Sequence, residues 1–285
     1  MIIILGATGT IGQKLVAQLA ARNQAFIIVA RNDNARIQFP QHTVRYGDLD
    51  KPESLIKAFN GGSALFLLSS HGEKMEAQQR SAIDAAKAVG IGRIVKISGS
   101  EASIDPHSMS ETGREHWRIE QYLKQQFNDY VILRCNFFMQ NLLDQVATMV
   151  RNNKTIMLPF DKNTGFSFID ADDIAACTAE VLTQPHYLGE TLYLTGEPSS
   201  FLALSQSLSL HLKQSINYKR IPLWLAHVVM RGKGMPSHLV RHQLEMAKLF
   251  MQGAGAKNTD NVKNLLGRAP INLDEFVERN QANFH

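Results

Sequence analysis

Residues that could do chemistry appear at the very start of the chain. Gly6-Ala7-Thr8-Gly9-Thr10-Ile11-Gly12 spaces its glycines as G-x-x-G-x-x-G, directly after the apolar run Ile2 to Leu5 and at the head of a helical pattern in which Ile11, Leu15 and Leu19 share one face. Glycines at this spacing let the backbone turn tightly, approach a pyrophosphate and pack the helix against a sheet. The free N–H groups and positive potential of the first helical turn receive the phosphates. The pattern therefore points to a bound dinucleotide. About twenty residues on, at the end of a second strand, a carboxylate would bind the ribose 2′-OH of NAD(H). Arg31 stands there instead, and a guanidinium suits a 2′-phosphate, so NADP(H) is favoured, while Asp33 keeps NAD(H) open. Asp48 and Leu49, in Gly47-Asp48-Leu49, fall where a loop passes the adenine. Asp48 either accepts from the adenine amine or caps the helix that starts at Pro52. Ser69, Ser70 and His71 follow the fourth strand and are expected along the ribose and pyrophosphate.

A second constellation is His116-Trp117-Arg118-Ile119-Glu120, which sets His and Glu at i and i+4 on one helix face. A neutral imidazole with an ordinary pKa of about 6.5 donates or relays a proton at neutral pH. Glu120 beside it would strengthen it as a base or fix its tautomer. Ser98 and Ser100 flank Gly99 after the fifth strand; one of them orients a substrate, or both belong to a strand-end turn. His238, His242 and Glu245 have a metal-like helical spacing, but nothing else in the chain supplies the context of a zinc site, so no metal is expected. Met230, Met235, Met246 and Met251, with Leu249 and Phe250, read as the core of a lobe or as a pocket for a flat apolar acceptor.

The elements that must position these groups follow from the apolar pattern. Strand-like runs at Ile2 to Leu5, Phe26 to Ala30, Val44 to Tyr46, Ala64 to Leu68, Arg93 to Ile97 and Tyr130 to Arg134 alternate with helical segments. That order predicts an α/β fold, a doubly wound parallel sheet of Rossmann type covered on both faces. Residues 1–150 are expected to form the nucleotide-binding domain. Residues 151–285 are expected to complete the sheet near Thr191 to Thr195 and to build a smaller, mostly helical C-terminal substrate lobe, interleaved with the first domain and packed on the carboxyl edge of the sheet.

Composition narrows the partners. The 285 residues are 44% hydrophobic, enough for a sizeable core. Thirty Lys+Arg against 26 Asp+Glu leave +4, and the longest basic cluster, Tyr218-Lys219-Arg220, is too short for a nucleic-acid stripe. Cys135 and Cys177 lie in apolar runs and read as reduced core thiols. No apolar run reaches the roughly 20 residues of a membrane span, and the first element starts at the initiator Met, so a soluble cytoplasmic protein is expected.

The glycine turn, Gly47-Asp48-Leu49, and the stretches Leu133-Arg134-Cys135-Asn136-Phe137-Phe138-Met139-Gln140-Asn141 and Phe168-Ile169-Asp170-Ala171-Asp172-Asp173-Ile174-Ala175 together resemble the NmrA-like group of atypical short-chain dehydrogenases/reductases. Within that group the chain is most similar to NADPH-dependent reductases of quinones and triphenylmethane dyes, over essentially its whole length. The wider superfamily uses a Tyr followed four residues later by a Lys that lowers the phenol pKa. None of the six tyrosines here has a Lys at that spacing, and the resemblance implies His116 and Glu120 in their stead. It also implies that Asn136, Phe137 and Phe138 line the nicotinamide, with Phe138 reaching the substrate; for the phenylalanines a place in the core is the competing reading. A site without a strong positioned acid suits an easy hydride acceptor, such as a quinone-like or other small aromatic substrate. The alternative is a non-catalytic NADP(H)-binding redox sensor acting through a protein partner. A homodimer is left open.

Overall fold

The computed structural model describes residues 1–285, the side chain of Gln145 excepted. Short β-branched runs separated by amphipathic helical segments fold into a regular alternation: β1 (Ile2–Leu5), α1 (Thr10–Ala21), β2 (Phe26–Ala30), α2 (Asn34–Gln38), β3 (Val44–Tyr46), α3 (Pro52–Phe59), β4 (Ala64–Leu67), α4 (Met75–Ala88), β5 (Arg93–Ser98), α5 (Glu111–Gln126) and β6 (Tyr130–Cys135). The chain continues through α6 (Asn141–Gln145), α7 (Ala147–Asn153), β7 (Thr155–Leu158), β8 (Phe166–Ser167), α8 (Ala171–Thr183), β9 (Glu190–Leu194), β10 (Pro198–Ser199) and α9 (Phe201–Leu212). It ends with β11 (Asn217–Arg220), α10 (Leu223–Gly232), α11 (Ser237–Met251), α12 (Asn261–Leu266) and α13 (Leu273–Arg279).

Seven strands form one sheet in the order β3-β2-β1-β4-β5-β6-β9, with parallel ladders from β3 across to β6. This is the doubly wound Rossmann-type α/β fold. The strand order reverses between β1 and β4, and such a reversal opens a crevice beyond the carboxyl ends of the strands. The last strand falls within a residue of the expected Thr191 to Thr195, at Glu190–Leu194.

The chain divides into two compact units, each assembled from three stretches. The first comprises Met1–Gly99, Arg114–Arg134 and Ala171–Tyr193; the second comprises Ser100–Gly113, Cys135–Asp170 and Leu194–His285. A boundary near residue 150 therefore falls inside the second unit. In the first unit, β1, β2 and β4 are wholly apolar on the faces they bury. Ile3, Leu5, Ile27, Val29, Leu65 and Leu67 pack against Leu55, Phe59, Ile83, Ile119 and Leu123 of the covering helices. On the other face α1 packs along α8 and is tied to it by Lys14–Asp172 at 2.8 Å and Arg22–Glu180 at 3.0 Å.

The second unit carries α6, α7 and α9 to α13, together with two two-stranded ladders, β10–β8 antiparallel and β11–β7 parallel. Its core is dominated by phenylalanine. Phe160 stacks on Phe201 with centroids 5.4 Å apart, Phe166 stacks on Phe168 at 5.3 Å, and Phe250 meets Phe166 edge-on. Both cysteines are buried and neither is in a disulfide. No helix among the described residues is long and apolar enough to cross a membrane.

Candidate functional site

The turn from β1 into α1 shows why its glycines must be glycines. Gly6 has φ +71°, a region that favours glycine, and a Cβ there would also sit 2.8 Å from the Leu68 carbonyl oxygen. At Gly12 a Cβ would lie 2.1 Å from the Gly6 carbonyl oxygen, so only glycine lets the helix come back over the turn. Gly9 is different. Its Cβ would meet nothing closer than 3.4 Å, so glycine at that position leaves the outer face of the turn bare. Gly9 is also the N-cap of α1, and no side chain caps the helix. The first-turn N–H groups are therefore left for a ligand.

A cleft of about 450 Å³ lies at this turn, within the first unit, lined by Gly6, Ala7 and Thr8. Gly9, Thr10, Ile11 and Gly12 are not part of its wall; Ile11 is buried in the core beneath the helix. Arg31 and Asn32, at the end of β2, also line the cleft. Arg31 makes no ion pair among the described residues, whereas Asp33 pairs with Arg36 on α2 at 3.6 Å and does not line the cleft. Asp48 and Leu49 form another side. Gly47 precedes them because a Cβ there would lie 2.5 Å from Val29 Cγ1. Asp48 Oδ1 accepts from the Asp50 amide at 3.1 Å, which makes a local turn; the N-cap of α3 is Lys51, so Asp48 does not cap that helix. Ser69, Ser70 and His71 complete the wall, Ser69 Oγ accepting from Gln79 Nε2 at 3.0 Å.

On β5 alternate side chains face the same way, so Lys96 and Ser98 both point toward α5. Lys96 is fully buried; its Nζ donates to the Ile97 carbonyl at 2.9 Å and meets His116 Nδ1 at 3.1 Å. With the ammonium donating, Nδ1 accepts and the ring proton sits on Nε2. His116 Nε2 lies 3.4 Å from His71 Nε2, the rings edge-on at 5.5 Å. His116 is 4% exposed, while His71 is exposed and belongs to the cleft wall.

Glu120 sits on α5 one turn beyond His116 and has partners of its own. Its Oε1 accepts from Ser98 Oγ at 2.7 Å and from Arg134 Nε at 3.1 Å, and its Oε2 accepts from Arg134 Nη2 at 2.6 Å. Ser98 and Arg134 are register partners on β5 and β6, so the sheet delivers hydroxyl and guanidinium together to a fully buried carboxylate. The fork of an arginine matches a carboxylate in two hydrogen bonds, and that pairing satisfies Glu120. The lysine beside His116 escaped sequence reasoning. A legible signal existed: one lysine inside the run Arg93 to Ile97, where a strand covered on both faces rarely buries an ammonium.

In the second unit, Asn136 is buried, its Nδ2 donating to the Gly255 carbonyl at 2.9 Å and its Oδ1 lying 3.5 Å from Ser100 Oγ. Phe137 meets Phe168 edge-on at 5.5 Å and lines a second cavity of about 150 Å³. Met230, Met235 and Met246 of the methionine series line it too, with Phe160 and Phe250. Met251 is 39% exposed and lies outside it. The only charged group in this wall is Lys233. Phe138 lines neither cavity and is held by the bridge of its backbone to Ile169. His242 Nδ1 sits 3.0 Å from Ser110 Oγ, and burial pushes this imidazole below its ordinary pKa. Among the described residues no group of three His, Cys, Asp or Glu side chains could hold a metal ion.

The chain is similar to known proteins over essentially its whole length. An NAD(P)H azoreductase of Xenophilus azovorans is 28% identical over 287 residues, covering 100% of this chain and 99% of the relative. Quinone oxidoreductase 2 of Escherichia coli is 25% identical, covering 97% of each. The solved structure of the Escherichia coli NADPH-dependent quinone oxidoreductase complexed with NADPH shares the fold, with a TM-score of 0.88 at 24% identity over 98% of this chain and 99% of that one. The family model described as NmrA-like matches residues 1–278, and the chain belongs to the NmrA-like family.

Proposed function

We propose that this family member, an NAD(P)H-dependent oxidoreductase, reduces a quinone-like or other easily reduced aromatic acceptor and draws its reducing power from NADPH. The observation that carries the reading is the first unit's cleft, where a bare glycine turn and an unpaired Arg31 share one wall. The turn's N–H groups receive a pyrophosphate, and Arg31 holds a 2′-phosphate by charge-assisted hydrogen bonds. Asp48 offers its carboxylate to an adenine amine. When bound there, the reduced nicotinamide supplies a hydride.

The chain's own contribution is orientation and one proton. His116 is held between Lys96 on its Nδ1 side and a histidine of the cleft wall on its Nε2 side. Glu120, neutralised by Arg134, acts as the brace that keeps α5 and His116 against β5. Without a phenol activated by a lysine the site is poor for alcohols and simple ketones. A quinone needs orientation and only a weak proton donor, because hydride transfer to it gives a stabilised phenolate that takes up its proton afterwards. Mixing the protein with NADPH and a panel of quinones, azo compounds and cationic dyes tests the reading through the near-ultraviolet absorbance of NADPH. Acceptor-dependent loss is expected; a panel in which no acceptor exceeds background returns the chain to non-catalytic binding.

A further inference from the structure

The first unit buries two cations on one strand, and they are used differently. Arg93, at the start of β5, donates to Asp129 Oδ1 at 2.8 Å and to the carbonyls of Val181 and Pro185 at 3.0 and 3.1 Å, which closes the end of α8. It is a structural clamp. Lys96, three residues on, spends one hydrogen bond on the neighbouring Ile97 carbonyl and directs another at an imidazole. Keeping an ammonium out of water is costly, and the fold retains it where its proton touches a group that can pass it on. From there a run of polar contacts reaches the cleft: Lys96 Nζ to His116 Nδ1 at 3.1 Å, and His116 Nε2 to His71 Nε2 at 3.4 Å, with His71 in the cleft wall.

We propose that Lys96, His116 and His71 form a proton relay, loaded at the buried lysine and discharging through His71 into the cofactor cleft. It rests on the reductase reading given above and names the route of the proton which that chemistry consumes. An acceptor oxygen that has gained two electrons with the hydride needs one proton to become a hydroxyl. His71 gives it from Nδ1, forming the O–H bond, and takes the Nε2 proton of His116 in its place. His116 Nδ1 takes a proton from the Lys96 ammonium, which is left as a neutral amine. After product leaves, solvent reloads the lysine through the same atoms in reverse, so protons balance over a turnover. Of the three only His71 lines the cleft, so it is the one placed to touch the reacting group and act as the catalytic residue. Lys96 acts only through His116, which explains how a residue with no exposure serves the cleft.

The test combines ring NMR with kinetics on Lys96→Met, His116→Gln and His71→Asn. In protein labelled at histidine, Lys96→Met and His116→Gln each move the His71 titration midpoint by about half a pH unit or more, as linked sites require. The charged neighbours Glu73 and Lys74 on the His71 loop, and Glu115 and Arg118 on α5, are unchanged in every variant. A His71 midpoint that stays put in both variants overturns the relay, whatever the enzyme does. In turnover, the quinone rate is compared with that of a cationic triphenylmethane dye, whose product is a neutral carbon that needs no proton. Lys96→Met and His71→Asn lower the quinone-to-dye ratio of kcat by about tenfold or more and change the solvent deuterium isotope effect on the quinone reaction alone. Equal loss with both acceptors assigns Lys96 to structure and overturns the proposal. His71 is exposed, so His71→Asn reads the mouth of the relay even where Lys96→Met fails to fold. Should none of the acceptors raise NADPH oxidation by the wild-type protein above background, the reductase reading falls, and the NMR linkage alone still decides whether the three groups share protons.

Discussion

The first unit's cleft and the second unit's methionine-lined cavity are built on opposite principles. The first unit's cleft is shaped by backbone: a glycine at φ +71°, another whose Cβ would strike a carbonyl at 2.1 Å, and a third that leaves a helix end bare. Some of its polar side chains are held by partners, Asp48 by the Asp50 amide and Ser69 by Gln79. The second unit's cavity is shaped by side-chain bulk, with methionines and phenylalanines that fill space without directional bonds. The contrast is between a site that specifies atoms and one that specifies only volume and polarity. A ligand with fixed phosphates suits the former, and a class of flat aromatic rings suits the latter.

Breaking the brace behind the first cleft should have the largest effect. Arg134→Met leaves the fully buried Glu120 carboxylate without its guanidinium, and a lost partner of a buried pair costs about 3–5 kcal/mol. Thermal or denaturant unfolding should report that loss, and a change below 1 kcal/mol (about the worth of an exposed pair) would mean that the pair is not braced as described. Next is Arg31→Ala, which should weaken NADPH roughly ten- to hundredfold while NADH binding changes little, since one charge-assisted contact to a phosphate is removed. Equal losses for the two nucleotides in a binding titration would show that Arg31 does not read the 2′-phosphate.

The second cavity should tolerate what the first does not. Met230→Leu conserves volume and apolarity and should cost less than about 1.5 kcal/mol in stability, with acceptor KM little changed. A severe loss of either would make this wall as directional as the cleft and erase the contrast. The smallest effect concerns His242. Burial disfavours its imidazolium, so its folded-state pKa lies below the unfolded value of about 6.5. The stability it contributes is therefore complete above that unfolded value and is lost as pH falls through the depressed folded one. His242→Gln should flatten the acid side of the stability profile, and an unchanged profile would remove His242 from its causes.

Much of the first unit was legible in the residues because glycine and strand signals are local. The motif Gly6 to Gly12, the strand runs and Arg31 each act through their own backbone or position, and the cleft forms where they implied. Gly9, Thr10, Ile11 and Gly12 shape the turn without lining the cleft, a distinction between making a surface and being one that spacing does not carry. The pairing of His116 with Glu120 was a different matter. Helical spacing put both on one face, but each found its partner on the sheet: Lys96 for one, Ser98 and Arg134 for the other. Strand register decides such partners, and register across β5 and β6 joins residues about 36 apart in the chain.

The sequence by itself determined the doubly wound sheet, the glycine turn and the basic residue at its rim, because these follow from backbone freedom, apolar period and single side chains. Only the tertiary structure decided that a lysine within an apolar strand stands behind His116, that Glu120 belongs to Arg134, and that the methionines of a helical stretch surround a cavity with Phe137. The physical reason is common to all three. Burial makes polar groups seek partners, and the partners available are those that folding brings near, not those that lie near along the chain.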